Sequence, residues 1–292
     1  MKNFITRAVS GVIFVAIMVF GLAFNAMAMM FLFSIITGMT VWEYTGLVNE
    51  RKGVSVNRFI TTAAGVYLFL AVAGFCSGVT PPTVFIPYLL TIVYLFISEL
   101  YLKQEDPIND WAYTMLSQMY IALPFATINM LAFKSSADDG TVYFDRILPL
   151  CIFVFLWLND TGAYCFGSLL GRHKLFPRIS PGKSWEGSIG GALLVMVVAA
   201  IGGYYLCRNY CGVMSSVPEW IGLAVVVVVF GTWGDLVESL FKRTLGIKDS
   251  GNVLPGHGGM LDRFDSSLMA IPAAVIYIYT LTLICGMPDF ME

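Results

Sequence analysis

The stretch from Gly234 to Asp265, GDLVESLFKRTLGIKDSGNVLPGHGGMLDRFD, gathers carboxylates, cations and glycines in a chain that is otherwise mostly apolar. Asp235, Ser239 and Lys242 are spaced four and then three residues apart, so a helix would present them on one face. Further charged residues and five glycines follow them: Arg243, Lys248, Asp249, His257, Asp262, Arg263 and Asp265, with glycines at 246, 251, 256, 258 and 259. This combination indicates a site for a metal ion and phosphates.

A second polar segment begins with Asn159 and Asp160 at the predicted end of an apolar run. A carboxylate within or beside an apolar helix is costly, so Asp160 needs a partner or a function. One interpretation is a helix-end carboxylate that pairs with Arg172 or Lys174. We favour a functional role, because Asn159, Thr161 and the loop that follows are also polar.

The sequence Ser180-Pro181-Gly182-Lys183-Ser184 resembles the end of a nucleoside-triphosphatase phosphate loop. The first glycine of that motif is replaced by Pro177, and no strand is predicted before it, so this class is excluded. We expect instead a loop at a helix start, where Lys183, Ser184 and backbone amides suit an anionic group.

The donor set favours a hard metal ion. The chain has only two histidines, His173 and His257, too few for a zinc site here. His257 is either a phosphate contact or a plain loop residue. Asp262 and Asp265 either cap the last helix or belong to a charge cluster. Oxygen ligands without sulfur indicate magnesium (Mg2+) or a similar ion.

The composition identifies an integral membrane protein. Of 292 residues, 58% are hydrophobic and 12% charged, against about a quarter charged in soluble domains. We predict an all-α, polytopic protein with about nine spans and a polar active site at the cytoplasmic face. The predicted spans are residues 5–24, 27–48, 58–77, 83–102, 111–133, 147–166, 185–207, 219–241 and 265–286, and Pro87 and Pro124 are expected to kink two of them.

The distribution of basic residues predicts the orientation. With the N-terminus in the cytoplasm, all 17 lysines and arginines except Lys134, Arg146 and Arg208 fall on the inner side. Both polar segments then face the cytoplasm, and the C-terminus lies outside. The first span is expected to stay uncleaved. A net charge of −2 without a basic tail excludes nucleic-acid binding.

The chain is expected to have two functional regions. Residues 1–145 form a scaffold of about five spans, and residues 146–292 form a catalytic region that carries both motif segments, 159–186 and 234–265. Glu43 and Glu99 are interpreted as carboxylates that reach the membrane interface from helix ends. Among the cysteines, Cys207 and Cys211 are the pair that could form a disulfide.

Four groups of residues in the opening stretch form one pattern: Ser239-x-x-Lys242-Arg243, Lys248-Asp249, Pro255-Gly256-His257-Gly258-Gly259 and Asp262-Arg263-Phe264-Asp265. This pattern resembles, position for position, the signature of the phosphatidate cytidylyltransferases, also called CDP-diacylglycerol synthases. The segment NDTGAYCFGSLLGRHKLFPRISPGKSWEG and the number of spans are also similar to that family. Gly182 departs from it, since relatives commonly have lysine there.

The resemblance implies transfer of a cytidylyl group from CTP to phosphatidate, which gives CDP-diacylglycerol and diphosphate. It implies that Asp235 and Asp262 bind the metal, and that Asp265 and Asp249 complete its shell or orient the lysines. Lys183, Lys242, Arg243, Lys248 and Arg263 would neutralise phosphates, and Ser239 would contact a phosphate oxygen or a metal-bound water. Asn159, Asp160, Ser184 and His257 complete the set expected to bind substrate.

Several questions stay open at this level. A secondary transporter also uses intramembrane carboxylates, although these polar residues gather at one membrane face. A cytidylyltransferase could act on another lipid phosphate. A bacterial inner membrane is the expected location. The sequence leaves open one metal or two, and whether the chain forms a homodimer.

Overall fold

The structure is a computed structural model that describes residues 2–136, 140–209, 214–251 and 258–285. Within these ranges the chain is mainly helical, which confirms the predicted all-α fold. The helices are α1 (Lys2–Ala23), α2 (Ala26–Val48), α3 (Arg58–Cys76), α4 (Ile86–Leu102), α5 (Pro107–Ser117), α6 (Leu123–Ala132), α7 (Ile147–Leu170), α8 (Trp185–Asn209), α9 (Val217–Thr244) and α10 (Leu261–Cys285). His257 and Cys211 lie outside the described residues.

Eight helical segments of the described chain are long and apolar enough to cross a membrane. They coincide with the second to ninth predicted runs, with Pro82–Leu102 and Pro107–Ala132 each counted as one segment. The first run coincides with α1, in which Val9–Ala23 is apolar. The chain is therefore an integral membrane protein with a polytopic helical fold.

Short polar side chains begin three of the helices. The side-chain oxygens of Asn25, Asn57 and Asp106 accept hydrogen bonds from backbone amides in the first turns of α2, α3 and α5, at 2.7, 3.1 and 3.1 Å respectively. Such N-caps satisfy amides that the helix itself leaves unpaired. They fix where these helices start.

The fifth predicted run is divided near its proline. A π-helical turn, Gln118–Ala122, separates α5 from α6, and Pro124 is the second residue of α6. Proline cannot donate the backbone hydrogen bond that a continuous helix requires, so the ladder is locally rearranged. The buried Gln118 amide donates to the Thr61 carbonyl oxygen at 3.0 Å, which ties this turn to α3.

Two short antiparallel hairpins interrupt the helices. The first pairs β1 (Phe133–Ser135) with β2 (Val142–Phe144), and the buried Lys134 forms an ion pair with Asp145 beside it. Burial lowers the pKa of Lys134, and the Asp145 carboxylate opposes that shift. The second hairpin pairs β3 (Lys174–Phe176) with β4 (Ser180–Ser184). The prediction of a loop at residues 180–184 is therefore wrong, because hydrogen bonds to β3 hold this segment extended.

The described chain divides into two compact units. One comprises Met1–Ile147 with Thr244–Phe264, and the other comprises Leu148–Arg243 with Asp265–Glu292. The functional division at residue 145 stays a prediction. In the first unit, Phe264 of the motif is fully buried and its ring lies 5.5 Å from that of Phe125 and 5.8 Å from that of Phe14. This aromatic packing anchors the start of α10.

Glycines allow α7 and α8 of the second unit to approach each other closely. A Cβ atom on Gly162 would lie 2.9 Å from the Gly191 Cα atom. A Cβ on Gly191 would lie 2.7 Å from the Asn159 carbonyl oxygen and 2.8 Å from its side-chain oxygen. Gly187 precedes Gly191 by one helical turn, the small-residue spacing common where membrane helices touch. The polar end of α8 is thereby held against the middle of α7.

We predict that Gly191→Ala destabilises the protein, because its added methyl group meets backbone atoms of α7 that cannot move freely. The expected loss is about 1–3 kcal/mol of unfolding free energy. Gly202→Ala on the same helix is the matched control, since a Cβ there has nothing within 4 Å. Thermal unfolding in detergent should show a lower Tm for Gly191→Ala alone. Equal Tm values for the two variants would contradict this packing.

Candidate active site

The second hairpin leads directly into α8, and Ser184 joins them. The Gly187 amide donates to Ser184 Oγ at 3.2 Å, so this buried serine caps α8. Two carboxylate oxygens of Glu186 accept hydrogen bonds from the backbone amides of Arg172 and His173 at 3.1–3.2 Å, and His173 Nδ1 lies 2.5 Å from Glu186 Oε1. These contacts fix the hairpin on the first turn of α8 and thereby position Lys183.

Lys183 and Asp235 form the central ion pair of this unit. Lys183 Nζ lies 2.5 Å from Asp235 Oδ2, and the two side chains are 26% and 27% exposed. The Ser239 hydroxyl donates to the other Asp235 oxygen, Oδ1, at 3.2 Å. The predicted α9 face therefore exists, with Ser239 supporting the aspartate one turn away. Partial exposure leaves both charged groups within reach of a ligand.

The ion pair lies at a cavity of about 510 Å³ that is formed entirely by the second unit. The polar residues that line it come from α7, β4, α8, α9 and α10: Asn159, Asp160, Ser168, Lys183, Ser184, Ser188, Thr232, Asp235 and Ser266. A cavity of this size suits a ligand of several hundred daltons. Asn159, Asp160, Lys183 and Asp235, which come from separate segments of the sequence, thus line one space.

Asn159 and Asp160 lie within α7 rather than at its end. The helix continues to Leu170, ten residues beyond Asp160, so the helix-end interpretation of this carboxylate is wrong. The Asn159 side chain is 5% exposed, and its buried Oδ1 atom has no hydrogen-bond partner among the described residues. An unpaired polar atom is costly in such surroundings, which favours a role in binding.

Asp265 enters this unit from α10. A Cβ on Gly234 would lie 2.6 Å from the Asp265 carbonyl oxygen, so α9 and α10 touch at the residue that precedes Asp235. The Asp265 Oδ1 atom accepts a hydrogen bond from the Ser266 amide at 2.5 Å. Close backbone contact thus brings Asp235 and Asp265 into neighbouring positions, which their distance in sequence does not reveal.

Lys242 has a partner that the sequence analysis missed. Its Nζ atom lies 2.7 Å from Glu238 Oε2, and the Glu238 side chain is fully buried. The sequence spacing indicates this ion pair, because Glu238 lies four residues before Lys242 and three after Asp235 on the same helix. Arg243 Nε donates to the Ile179 carbonyl oxygen at 3.4 Å, beside the second hairpin.

In the first unit, backbone amides surround Asp262. Its Oδ2 atom accepts hydrogen bonds from the amides of Ser250 and Gly259, each at 2.8 Å. Both donors precede α10, so this carboxylate orders the motif segment before the helix. Its predicted roles as a helix cap and as a metal ligand stay predictions. Lys248, Asp249 and Arg263 are exposed.

Glu43 also contacts the motif segment, and its position at the membrane interface stays a prediction. It accepts hydrogen bonds from Ser250 Oγ at 2.5 Å and from the amides of Met260 and Leu261 at 2.8 and 3.0 Å. Glu99 is 8% exposed, and its position at the membrane interface likewise stays a prediction. Sequence spacing could not place Glu43 here, because more than 200 residues separate it from its partners.

Among the described residues, no three His, Cys, Asp or Glu side chains cluster closely enough to bind a metal ion by themselves. The cavity nevertheless offers carboxylate oxygens, and its lining residues include no cysteine or histidine. This donor chemistry suits magnesium, which commonly uses one or two protein carboxylates and takes further ligands from water and substrate phosphates.

Comparison with known proteins identifies the family. The model of the cytidylyltransferase family matches residues 5–281, almost the whole chain. The chain belongs to the cytidylyltransferase family. Both motif segments, residues 159–186 and 234–265, lie inside the matched range, so the family assignment includes the ion pair and the cavity.

Individual relatives in bacteria carry a more specific name. The chain is 41% identical over 172 residues to a phosphatidate cytidylyltransferase of Staphylococcus haemolyticus, a match to 58% of this chain and 60% of that protein. It is 40% identical over 170 residues to the protein of that name in Staphylococcus aureus, with the same coverage. A Haemophilus influenzae relative of that name is 33% identical over 242 residues, 80% of this chain and 83% of that protein.

We predict that Lys183→Met and Lys242→Met differ in stability, although each removes one lysine that pairs with a carboxylate of α9. The Lys183 pair is partly exposed, so its loss should cost about 1 kcal/mol or less. Lys242→Met removes the cation beside a fully buried carboxylate, and a loss of about 3 kcal/mol is expected. Thermal unfolding of both variants in detergent tests this order. A Tm for Lys183→Met at or below that of Lys242→Met would contradict it.

Proposed function

We propose that this protein transfers the cytidylyl group of CTP to phosphatidate, which gives CDP-diacylglycerol and diphosphate. The observation that carries the proposal is the Lys183–Asp235 ion pair at a polar cavity inside a membrane protein of the cytidylyltransferase family. The names of the bacterial relatives support phosphatidate as the acceptor. A bacterial inner membrane with the cavity open to cytoplasmic CTP is the corresponding location, with the N-terminus inside and the C-terminus outside.

The reaction requires charge neutralisation and positioning more than covalent catalysis. A phosphate oxygen of phosphatidate attacks the α-phosphorus of CTP, the bond from that phosphorus to the bridging oxygen breaks, and diphosphate leaves with the electron pair. Two polyanions must approach each other, so cations at the cavity lower their repulsion. Lys183 is suited to this role because its ammonium group has three donors and stays partly exposed beside Asp235.

Asp235 orients Lys183 in the structure, and Ser239 orients Asp235 in turn. Ser184 fixes the turn from which Lys183 projects, because its hydroxyl caps α8. Asn159 presents a buried, unpaired oxygen at the same cavity, suited to a donor group on the substrate. These side chains therefore hold the reacting groups in a fixed arrangement, which is the main requirement of an in-line displacement.

Magnesium is the cofactor that fits this donor set, with Asp235 and Asp265 as its proposed ligands in the second unit. Asp262 belongs to the first unit, and its role in metal binding stays the one that the family resemblance implies. When bound, the ion would neutralise phosphate charge on the nucleotide and on the diphosphate leaving group. The exposed Lys248 and Arg263 are proposed to attract the polyanionic substrate, and Lys242, Arg243, Asp249 and His257 keep the roles that the family resemblance implies. A homodimer is one oligomeric state that this proposal allows.

The proposal is tested by measuring CTP-dependent formation of the lipid product and diphosphate in detergent with magnesium. Release of diphosphate should depend on added phosphatidate, and should fall when a metal chelator is present. Activity with another lipid phosphate but not with phosphatidate would change the acceptor. Lipid movement across vesicles without any CTP turnover would support a carrier and overturn the proposed reaction.

We predict that Asp235→Asn and Lys183→Met each reduce kcat about 10²–10³-fold. Lys183→Met removes a cation aimed at the reacting phosphates, and Asp235→Asn removes the carboxylate proposed to orient that lysine and to bind the metal. Lys174→Met is the matched control, since Lys174 is an exposed lysine of the same hairpin that does not line the cavity. It should retain near-normal turnover. Equal losses from Lys174→Met and Lys183→Met would show that hairpin charge alone is responsible and would contradict the assignment.

A further inference from the structure

Glu43 of α2 joins two parts of the motif segment that are separated along the chain. Its Oε1 atom accepts hydrogen bonds from Ser250 Oγ at 2.5 Å and from the Leu261 amide at 3.0 Å, and its Oε2 atom accepts one from the Met260 amide at 2.8 Å. One carboxylate thus holds Ser250 and the first turn of α10 together. All of these residues belong to the first compact unit.

Two motif glycines make room for this carboxylate. A Cβ on Gly251 would lie 2.8 Å from Glu43 Oε2, and a Cβ on Gly259 would overlap both Glu43 oxygens and Ser250 Oγ. Any larger residue at position 259 would therefore push the carboxylate away from its donors. The motif glycines therefore leave space for the Glu43 carboxylate, in addition to giving the backbone conformational freedom.

The same contacts reach Asp262. The Ser250 hydroxyl, which donates to Glu43, also accepts a hydrogen bond from the Asp262 amide at 3.3 Å. The Ser250 and Gly259 amides in turn donate to Asp262 Oδ2. Glu43 and Asp262 therefore share Ser250, and together they bind the start of α10 to the segment that follows Asp249.

We propose that Glu43 is a positioning residue, which holds Ser250, Met260 and Leu261 so that Asp262 keeps a fixed orientation at the start of α10. Hydrogen bonds to a charged acceptor are stronger than those to a neutral one. The Glu43 carboxylate accepts three of them and thereby holds Ser250 and the start of α10 together. The effect of Glu43 on turnover rests on the function proposed above, whereas its hydrogen bonds do not depend on that function. Glu43 itself is not assigned any contact with substrate.

The direct test is hydrogen–deuterium exchange of the full-length protein in detergent. Glu43→Gln places an amide group against backbone donors, so exchange at residues 259–262 should accelerate about tenfold or more. Glu50→Gln is the matched control, because Glu50 is an exposed carboxylate just beyond the end of α2, whereas the Ser250 hydroxyl donates to Glu43. It should leave exchange at residues 259–262 unchanged, and exchange at residues 184–190 should stay unchanged in both variants.

Unchanged exchange at residues 259–262 in Glu43→Gln would overturn the proposal. If Glu43→Gln does not fold, Ser250→Ala serves instead. It removes one donor and keeps the carboxylate, so a smaller acceleration at the same residues is expected. Normal exchange in Ser250→Ala would then overturn the proposal.

Turnover separates positioning from general stabilisation. We expect Glu43→Gln to lower kcat about ten- to a hundredfold, while Glu50→Gln stays near the original value. Glu43→Asp keeps the charge with a shorter reach, so it should restore part of the lost turnover at a Tm similar to that of Glu43→Gln. Faster exchange with full turnover would overturn the positioning role. If the unmodified protein shows no lipid-dependent CTP turnover, the proposed function fails, and the exchange data still decide whether Glu43 holds the segment.

Discussion

The cost of an uncompensated charge in apolar surroundings governs the polar part of this protein. A lone ion in a membrane helix is unfavourable, so ionisable residues there pair with each other or face a polar space. Lys183 pairs with Asp235, Lys242 with Glu238, and Lys134 with Asp145. The first of these pairs lies at a cavity and stays partly exposed, whereas the other two are largely buried. Pairing compensates the charges in all three cases, and the partly exposed Lys183–Asp235 pair can also contact a ligand.

Close packing at glycines brings together the helices that surround the cavity lined by this pair. Gly162 and Gly191 allow α7 and α8 to touch, and Gly234 allows α9 to approach the backbone of α10. Membrane helices associate through such small residues because lipid already solvates larger apolar side chains well. In this chain the contacts have a second effect, since each lies next to a polar residue of the site. The same short segments therefore contain the glycines that allow helix contact and the polar residues of the site.

A carboxylate also organises the motif segment of the first unit, where the contacts are to backbone amides. Glu43 and Asp262 together accept hydrogen bonds from four amides, those of Ser250, Gly259, Met260 and Leu261. Amides at the start of a helix lack partners within it, so carboxylates bind there readily. The buried ring of Phe264 adds an apolar anchor one residue beyond this set. The motif Asp262-Arg263-Phe264-Asp265 thus contains folding determinants as well as the residues proposed for chemistry.

The sequence by itself determined the helical membrane fold, the approximate helix bounds and the family, because long apolar runs can span a membrane only as satisfied helices and because the motif has many fixed polar positions. It also placed Asp235 and Ser239 on one face, since that relation depends only on helical spacing. The tertiary structure decided that residues 180–184 form a strand, that Asp160 lies inside α7, that Lys183 meets Asp235, and that Glu43 contacts Ser250. The Lys183–Asp235 and Glu43–Ser250 contacts join segments far apart in the chain, which local periodicity does not specify.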